Sequence, residues 1–313
     1  MGIIKPKRLK TGDVIGIISP ASSPDDLTKI NSGVEYLEKL GYRVEVGKNV
    51  GLQEGYLAGS DLQRLNDLHD MFRNKMVNAI FSIRGGYGSG RLLDKIDYKM
   101  IRNNPKIFVG YSDINALQMA FFKMTGLITF AGPMVAVDFH DEISAFTEEV
   151  FWRTITSNKK IGKLQNPRKE KFYLLNKGRA SGRILGGNLS LLCSLMGTQY
   201  LPNLKGAILL LEDIHEAPYR IDRMLNQLYL SKILKQVNGI ILGNFVECVE
   251  QDPNKQSFTL NEVIVHYFQN QKLPVLYNVK HGHVKDNITI PYGLKCVLNA
   301  THAYIDISEN AVL

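Results

Sequence analysis

Short apolar runs alternate with amphipathic stretches through the first half of the chain, and this alternation restricts the fold more than any other feature. Runs at 14–19, 42–46, 77–83, 107–111 and 127–130 have the length and composition of buried strands. The stretches at 25–40 and 61–72 carry helical periodicity. Gly41 closes the first as a C-terminal cap, and Ser60 opens the second with Gln63 in capping-box register. Strand and helix in turn predict a parallel sheet with helices on its faces.

Beyond a helix predicted near 142–156, the basic stretch NKKIGKLQNPRKEKFYLLNK (158–177) reads as a solvated linker. A second pattern begins at Gly182, with helices at 189–196 and 219–229 and strands at 207–211 and 239–243. Short β runs at 275–279, 288–290, 295–298 and 303–307 suggest an antiparallel or barrel-like part. The expected organisation is an α/β domain over 1–157, a linker over 158–178 and a mainly β domain over 179–313. With 313 residues and 44% hydrophobic content, the chain can bury a sizeable core, and its length fits one large domain or two of ordinary size, of which two are favoured.

The net charge of +8 raises the question of nucleic acid, but Lys and Arg are scattered among Asp and Glu and no nucleic-acid motif is present. The positive balance favours a small anionic substrate by steering. Cys193, Cys248 and Cys296 are odd in number and widely spaced, which suits neither a disulfide framework nor a zinc cluster and points to a reducing compartment. The opening MGIIKPKRLKTGD has no apolar run of signal-peptide length, and no later stretch approaches the ~20 apolar residues of a spanning helix. A cytoplasmic protein with no membrane or nucleic-acid partner is expected.

Four segments carry candidate chemistry. In IFVGYSDINALQMA (107–120) a strand stops at Gly110 and a helix begins after Ser112, the context of a nucleophile elbow, with helix N-terminal amides ready for an oxyanion. Ile114 departs from the elbow pattern, which wants a small residue there, and Ser112 also reads as a plain N-cap with Asp113 favouring the helix dipole. In FSIRGGYGSGR (81–91) a strand empties into a loop with Gly85, Gly86, Gly88 and Gly90, matching neither the dinucleotide nor the P-loop fingerprint. Both segments fall at carboxyl ends of strands, where open α/β sheets bind ligands, so the Gly86 amide can pair with that of Asp113; a ligand-free tight turn is the alternative.

In GAILLLEDIHEAPYR (206–220) an apolar strand ends in Glu212 and Asp213, placed either to orient an imidazolium or to cap the next helix. In VKHGHVKD (279–286), His281 and His283 flank a glycine; a histidine is the usual base for a serine, and His-x-His with Glu212, Asp213 and His215 also allows a metal. The sequence lacks the helix-borne H-E-x-x-H pattern, so no metal and no cofactor are expected. Cys193, inside an apolar helix, reads as core.

These segments, in this order, resemble the serine-type LD-carboxypeptidases, or muramoyltetrapeptide carboxypeptidases. The likeness spans nearly the whole chain and includes Gly12-Asp13, Ser19-Pro20, Arg84-Gly85-Gly86-Tyr87-Gly88, Gly110-Tyr111-Ser112-Asp113, GRILGGNLSL (182–191), Leu211-Glu212-Asp213, Pro218-Tyr219-Arg220 and Gly282-His283. The resemblance implies a parallel-sheet domain of flavodoxin or amidotransferase kind followed by a mainly β domain, often paired as a homodimer. It implies Ser112 as nucleophile, His283 as general base, Glu212 as its orienting acid, and an oxyanion hole from Asp113 with Gly85 and Gly86. Arg84, Tyr87 and Arg91 are candidates for substrate contact. The implied reaction removes a terminal D-amino acid from a murein tetrapeptide during peptidoglycan recycling. Microcin C immunity-type hydrolases of the same family, which cleave aminoacyl-nucleotide amides, are the alternative; Trp152 is the one tryptophan, and no added aromatic loop is evident. From another class, a non-catalytic anion- or nucleotide-binding protein would use the glycine loop alone.

Overall fold

The computed structural model describes residues 2–269 and 271–313. In chain order the first half contains β1 (Val14–Ile18), α1 (Thr28–Lys39), β2 (Arg43–Val46), α2 (Asp61–Arg73), β3 (Val77–Ser82), α3 (Tyr98–Asn103), β4 (Ile107–Gly110), α4 (Asn115–Thr125), β5 (Thr129–Ala131) and α5 (Ala145–Thr156). Ser60 and Gln63 form the predicted capping box at the start of α2. Gly41, at φ +86°, terminates α1 in the left-handed conformation that glycine adopts without a Cβ penalty. Strands β1 to β5 are parallel, in the order β5-β4-β3-β1-β2. β3 and β4 are almost wholly buried, which is why they read as continuous apolar runs.

The second half contains β6 (Gly162–Leu164), β7 (Tyr173–Asn176), β8 (Arg179–Asn188), α6 (Leu189–Ser194), β9 (Ile208–Ile214), α7 (Pro218–Leu230), α8 (Ile233–Gln236), β10 (Gly239–Val246), α9 (Leu260–Phe268), β11 (Val275–Tyr277), β12 (Ile290–Tyr292), β13 (Lys295–Asn299) and β14 (Tyr304–Ile307). Its eight-stranded sheet runs β6-β14-β13-β8-β9-β10-β11-β7. β8 to β11 are parallel, and the antiparallel character predicted near the C-terminus is found where β13 joins β8 and β14, with β6 beyond.

Two boundaries differ from expectation. The segment read as a linker, 158–178, supplies β6 and β7, the two edge strands of the second sheet. Edge strands are short and charged because one side faces water, so their composition imitates a linker. The run at 288–290 leads not into the second sheet but into β12, which pairs antiparallel with β5 and extends the first sheet by one strand. One strand of the second half, β12, therefore crosses back to the first sheet directly after the segment carrying His281 and His283, before β13 and β14 return to the second. Among the described residues no helix is long and apolar enough to cross a membrane.

The two sheets meet behind Ser112. The Asn115 side chain at the start of α4 donates Nδ2 to the Gly186 carbonyl at 2.8 Å. At Gly187, φ +123°, a Cβ would stand 2.4 Å from the Tyr292 hydroxyl and 2.7 Å from Asn115 Nδ2, so only glycine lets β8 approach α4 and β12 this closely.

Candidate active site

β4 stops at Gly110, Tyr111 continues in extended backbone, and Ser112 turns at φ +61° into a 3-10 turn that leads to α4. A left-handed non-glycine residue costs roughly 1–2 kcal/mol, so its surroundings must hold it there. The strand-to-helix turn expected at this position is present. Ile114, which breaks the simple elbow pattern, is accommodated because the small residue precedes the serine: a Cβ on Gly110 would stand 2.8 Å from Ile114 Cγ2.

The glycine loop after β3 lies directly over this turn. A Cβ on Gly85 would stand 2.7 Å from Ser112 Cβ and 2.9 Å from its Oγ, and 3.2 Å from the Asp113 amide nitrogen. No side chain fits there, and the Gly85-Gly86 segment adjoins the Asp113 amide above the serine. Asp113 does not serve mainly as a helix cap. Its buried carboxylate accepts the Ser89 N–H at 2.7 Å, and its carbonyl accepts the Ser89 hydroxyl at 2.5 Å, which ties the loop to the turn. Buried Arg64 steadies the loop from behind, donating Nη1 to the carbonyls of Pro20 (2.7 Å) and Gly88 (2.9 Å).

Glu212 sits near the end of β9 and is 2% exposed. Its Oε2 lies 2.9 Å from Nδ1 of His283. An ionised carboxylate only accepts, so the shared proton belongs to Nδ1 and the tautomer leaves Nε2 with its lone pair. Glycine again makes the room: a Cβ on Gly282, at φ +115°, would stand 2.5 Å from Glu212 Oε2. The His283 ring stands edge-to-face against Tyr111, the residue before Ser112, with centroids 5.3 Å apart. An imidazole oriented by a buried acid is thereby presented beside the strained serine turn.

The other candidates have separate duties. Asp213 accepts from Asn188 Nδ2 (3.0 Å) and from the Ser190 amide and hydroxyl (2.9 and 2.7 Å), so it caps α6 rather than the helix that follows it. His281 is buried with Nδ1 on the Ile288 carbonyl at 2.8 Å, and burial lowers its pKa, favouring the neutral ring. His215 pairs with Glu247 on the surface. Among the described residues, no group of three or more His, Cys, Asp or Glu side chains is arranged to hold a metal ion. Arg84 donates Nη1 to the Ser23 carbonyl, and Arg91 is engaged with both oxygens of Asp61. Tyr87 is exposed and meets Tyr56 edge-on, next to the loop over Ser112. Burial pushes the Cys193 thiol up to about 12, which makes it inert, and Trp152 is packed on Tyr42 with its indole N–H on the Tyr36 hydroxyl.

Asp138, not singled out from the sequence, is a further acid that burial pushes up to about 6, with the charge of His283 as a smaller opposing influence. Asp138 follows β5 within GPMVAVDFHD, an acid amid apolar residues, and that cost was the available signal.

The chain matches the family model for the LD-carboxypeptidase N-terminal domain over residues 15–132 and that for the C-terminal domain over 181–298. It is 41% identical to the probable murein peptide carboxypeptidase of Bacillus subtilis (strain 168), over 98% of this chain and 97% of that one. It superposes on a structure of MccF in complex with glutamyl sulfamoyl guanosine with a TM-score of 0.89 and 28% identity, over 99% of both chains. It also superposes on muramoyltetrapeptide carboxypeptidase from Oxalobacter formigenes with a TM-score of 0.82 and 31% identity, over 94% of this chain and 97% of that one. Likeness of this extent, carried by both domains together, makes the protein a member of the serine-type LD-carboxypeptidase family.

Proposed function

We propose that the protein is a serine carboxypeptidase that hydrolyses the amide joining an L-centre to the terminal D-alanine of a murein tetrapeptide, using Ser112, His283 and Glu212. The observation that carries this reading is the 2.9 Å pairing of His283 with buried Glu212, presented beside the Ser112 turn. His283 Nε2 takes the hydroxyl proton as Ser112 Oγ bonds to the scissile carbonyl carbon. The Asp113 and Gly86 amides, with Gly85 giving the close approach, receive the negative oxygen. The C–N bond then breaks, the departing D-amino acid nitrogen takes the proton from His283, and an ester to Ser112 remains. Water, giving a proton to His283, attacks the ester carbon; the bond to Ser112 Oγ breaks, the shortened peptide leaves as its acid, and the proton passes from His283 to the serine oxygen.

The murein substrate is favoured by the name and extent of the Bacillus subtilis relative, which spans nearly the whole chain. Residence in the cytoplasm, a place in peptidoglycan recycling and pairing into a homodimer belong to the same proposal. Incubation with a murein tetrapeptide and, separately, an aminoacyl sulfamoyl adenylate, each followed by mass analysis, tests it. Loss of one terminal D-alanine from the tetrapeptide, unaffected by EDTA, is expected. Cleavage of the nucleotide conjugate with the tetrapeptide intact would replace the murein reading by the immunity-type one. Tight binding of either compound without cleavage would favour a non-catalytic binder.

A further inference from the structure

The segment that follows β1 is held along its length, from Pro20 to Ser23. Arg64 Nη1 donates to the Pro20 carbonyl (2.7 Å), the Ala58 amide to the Ala21 carbonyl (2.9 Å) and Arg84 Nη1 to the Ser23 carbonyl (3.2 Å), while the Ser23 hydroxyl donates to the Leu52 carbonyl (2.6 Å). Ser22 lies half-buried within this segment. Its hydroxyl donates to the Tyr56 carbonyl at 2.5 Å, in preference to the Tyr87 carbonyl at 3.4 Å. A hydroxyl has one proton, so its oxygen is left to accept.

The Ser22 amide and that oxygen both turn to the glycine loop over Ser112. The Ser22 N–H donates to the Gly85 carbonyl (3.2 Å), and the Tyr87 N–H donates to Ser22 Oγ (3.1 Å). The first bond fixes the peptide before Gly86 and the second the peptide after it, so one residue sets both backbone torsions of Gly86, whose φ is +98°. Glycine has no side chain to limit those torsions, so without the clamp Gly86 would be the freest point of the loop. A side chain has no space there either, since a Cβ on Gly86 would stand 2.4 Å from Ser22 Oγ. Across a trans peptide the C=O and N–H point in opposite directions. With the Gly85 carbonyl drawn to Ser22, the Gly86 N–H faces away from Ser22; the residue is exposed, and among the described residues this N–H has no hydrogen-bond partner. An amide held from behind and unpaired in front suits an oxyanion donor, because a fixed dipole needs no reorganisation as charge develops.

We infer that Ser22 is a positioning residue for the oxyanion hole: its amide and hydroxyl clamp the two peptides that flank Gly86 and so aim the Gly86 N–H. This rests on the reading of Gly86 as an oxyanion donor. It assigns the segment after β1, remote in sequence from Ser112, Glu212 and His283, a part in the same reaction.

The test uses the full chain with Ser22→Ala and Ser23→Ala. Each removes a serine hydroxyl that donates to a carbonyl of the next loop, but only the Ser22 hydroxyl bonds to the glycine loop. On the tetrapeptide, Ser22→Ala should lower kcat about tenfold with KM little changed, short of the roughly 10²–10³-fold cost of losing a whole oxyanion donor. Inhibition by a murein tripeptide boronic acid, in which boron stands for the scissile carbonyl carbon, should weaken in proportion to kcat/KM. Ser23→Ala should keep both within about twofold of the wild type. Backbone motion is read without substrate, from NMR relaxation of the Gly86 amide in glycine-labelled protein, assigned with Gly86→Ala. Its order parameter should be about 0.85 in the wild type and in Ser23→Ala, and fall below about 0.6 in Ser22→Ala. A Gly86 amide that stays rigid in folded Ser22→Ala overturns the proposal, and so does an equal loss of activity in the two variants. If the amide loosens while kcat stays at the wild-type value, Gly86 is no oxyanion donor and the proposal falls with that reading. Should Ser22→Ala fail to fold, Ser22→Cys takes its place with the same outcomes, its thiol being a weak acceptor. A Gly86 amide already mobile in the wild type overturns the proposal with no variant at all. If the wild type leaves the tetrapeptide intact, the proposed reaction fails, while the relaxation measurement still decides whether Ser22 holds Gly86.

Discussion

Ser112→Ala is expected to lower kcat on a murein tetrapeptide by about 10⁴-fold or more, as in other serine-triad hydrolases, while KM and thermal stability stay close to wild type. The substitution removes one oxygen. Alanine meets the same left-handed backbone, φ +61°, that serine already tolerates, so the turn should persist. The Gly85-Gly86 segment and the Asp113 amide remain to bind the carbonyl, and residual turnover measures what they contribute without a nucleophile. Steady-state kinetics at matched protein concentration, with a melting curve, check this. Near-normal turnover would remove Ser112 from the chemistry.

Glu212→Gln should separate activity from stability even more sharply. A glutamine can present its amide NH₂ to Nδ1, which moves the imidazole proton to Nε2 and disables the base, and it cannot stabilise an imidazolium. Comparable changes in serine triads cost about 10³–10⁴ in kcat. There is little room to rearrange, because Gly282 already lies so close that a Cβ there would be 2.5 Å from Oε2. The fold should be unharmed or slightly steadier, since a buried amide avoids the desolvation cost of a buried carboxylate. A variant retaining kcat within tenfold of wild type would show that Glu212 is a structural acid. One that loses activity only because it unfolds would say the same.

Much of this was readable from sequence because the relevant physics is local. β3 and β4 are buried on both faces, so their apolar runs are continuous, and Ser60 with Gln63 announces α2 through a contact made within one turn. The elbow at Ser112 is likewise local: a strand, a glycine and a helix start in direct succession. β6 and β7 were not readable, since edge strands carry the charges of the solvent they face. α9 was missed although Thr259 and Glu262 form a capping box, because the polar stretch before it masks where its periodicity begins.

The return of β12 to the first sheet depends on a pairing with β5 some 160 residues earlier, between Ile290 and Ala131, which no local pattern encodes. The same is true of the site. Glu212 and His283 each had a local signal, a strand-end acid and a Gly-His pair, but their pairing is a tertiary fact.

The most direct test of the central claim is a crystal structure of Ser112→Ala with a murein tetrapeptide. The scissile carbonyl oxygen should lie about 3 Å from the amide nitrogens of Asp113 and Gly86, its carbon facing residue 112 and the leaving nitrogen facing His283 Nε2. An ordered peptide bound with its terminal amide away from residue 112, or with His283 turned from it while still paired to Glu212, would contradict the account.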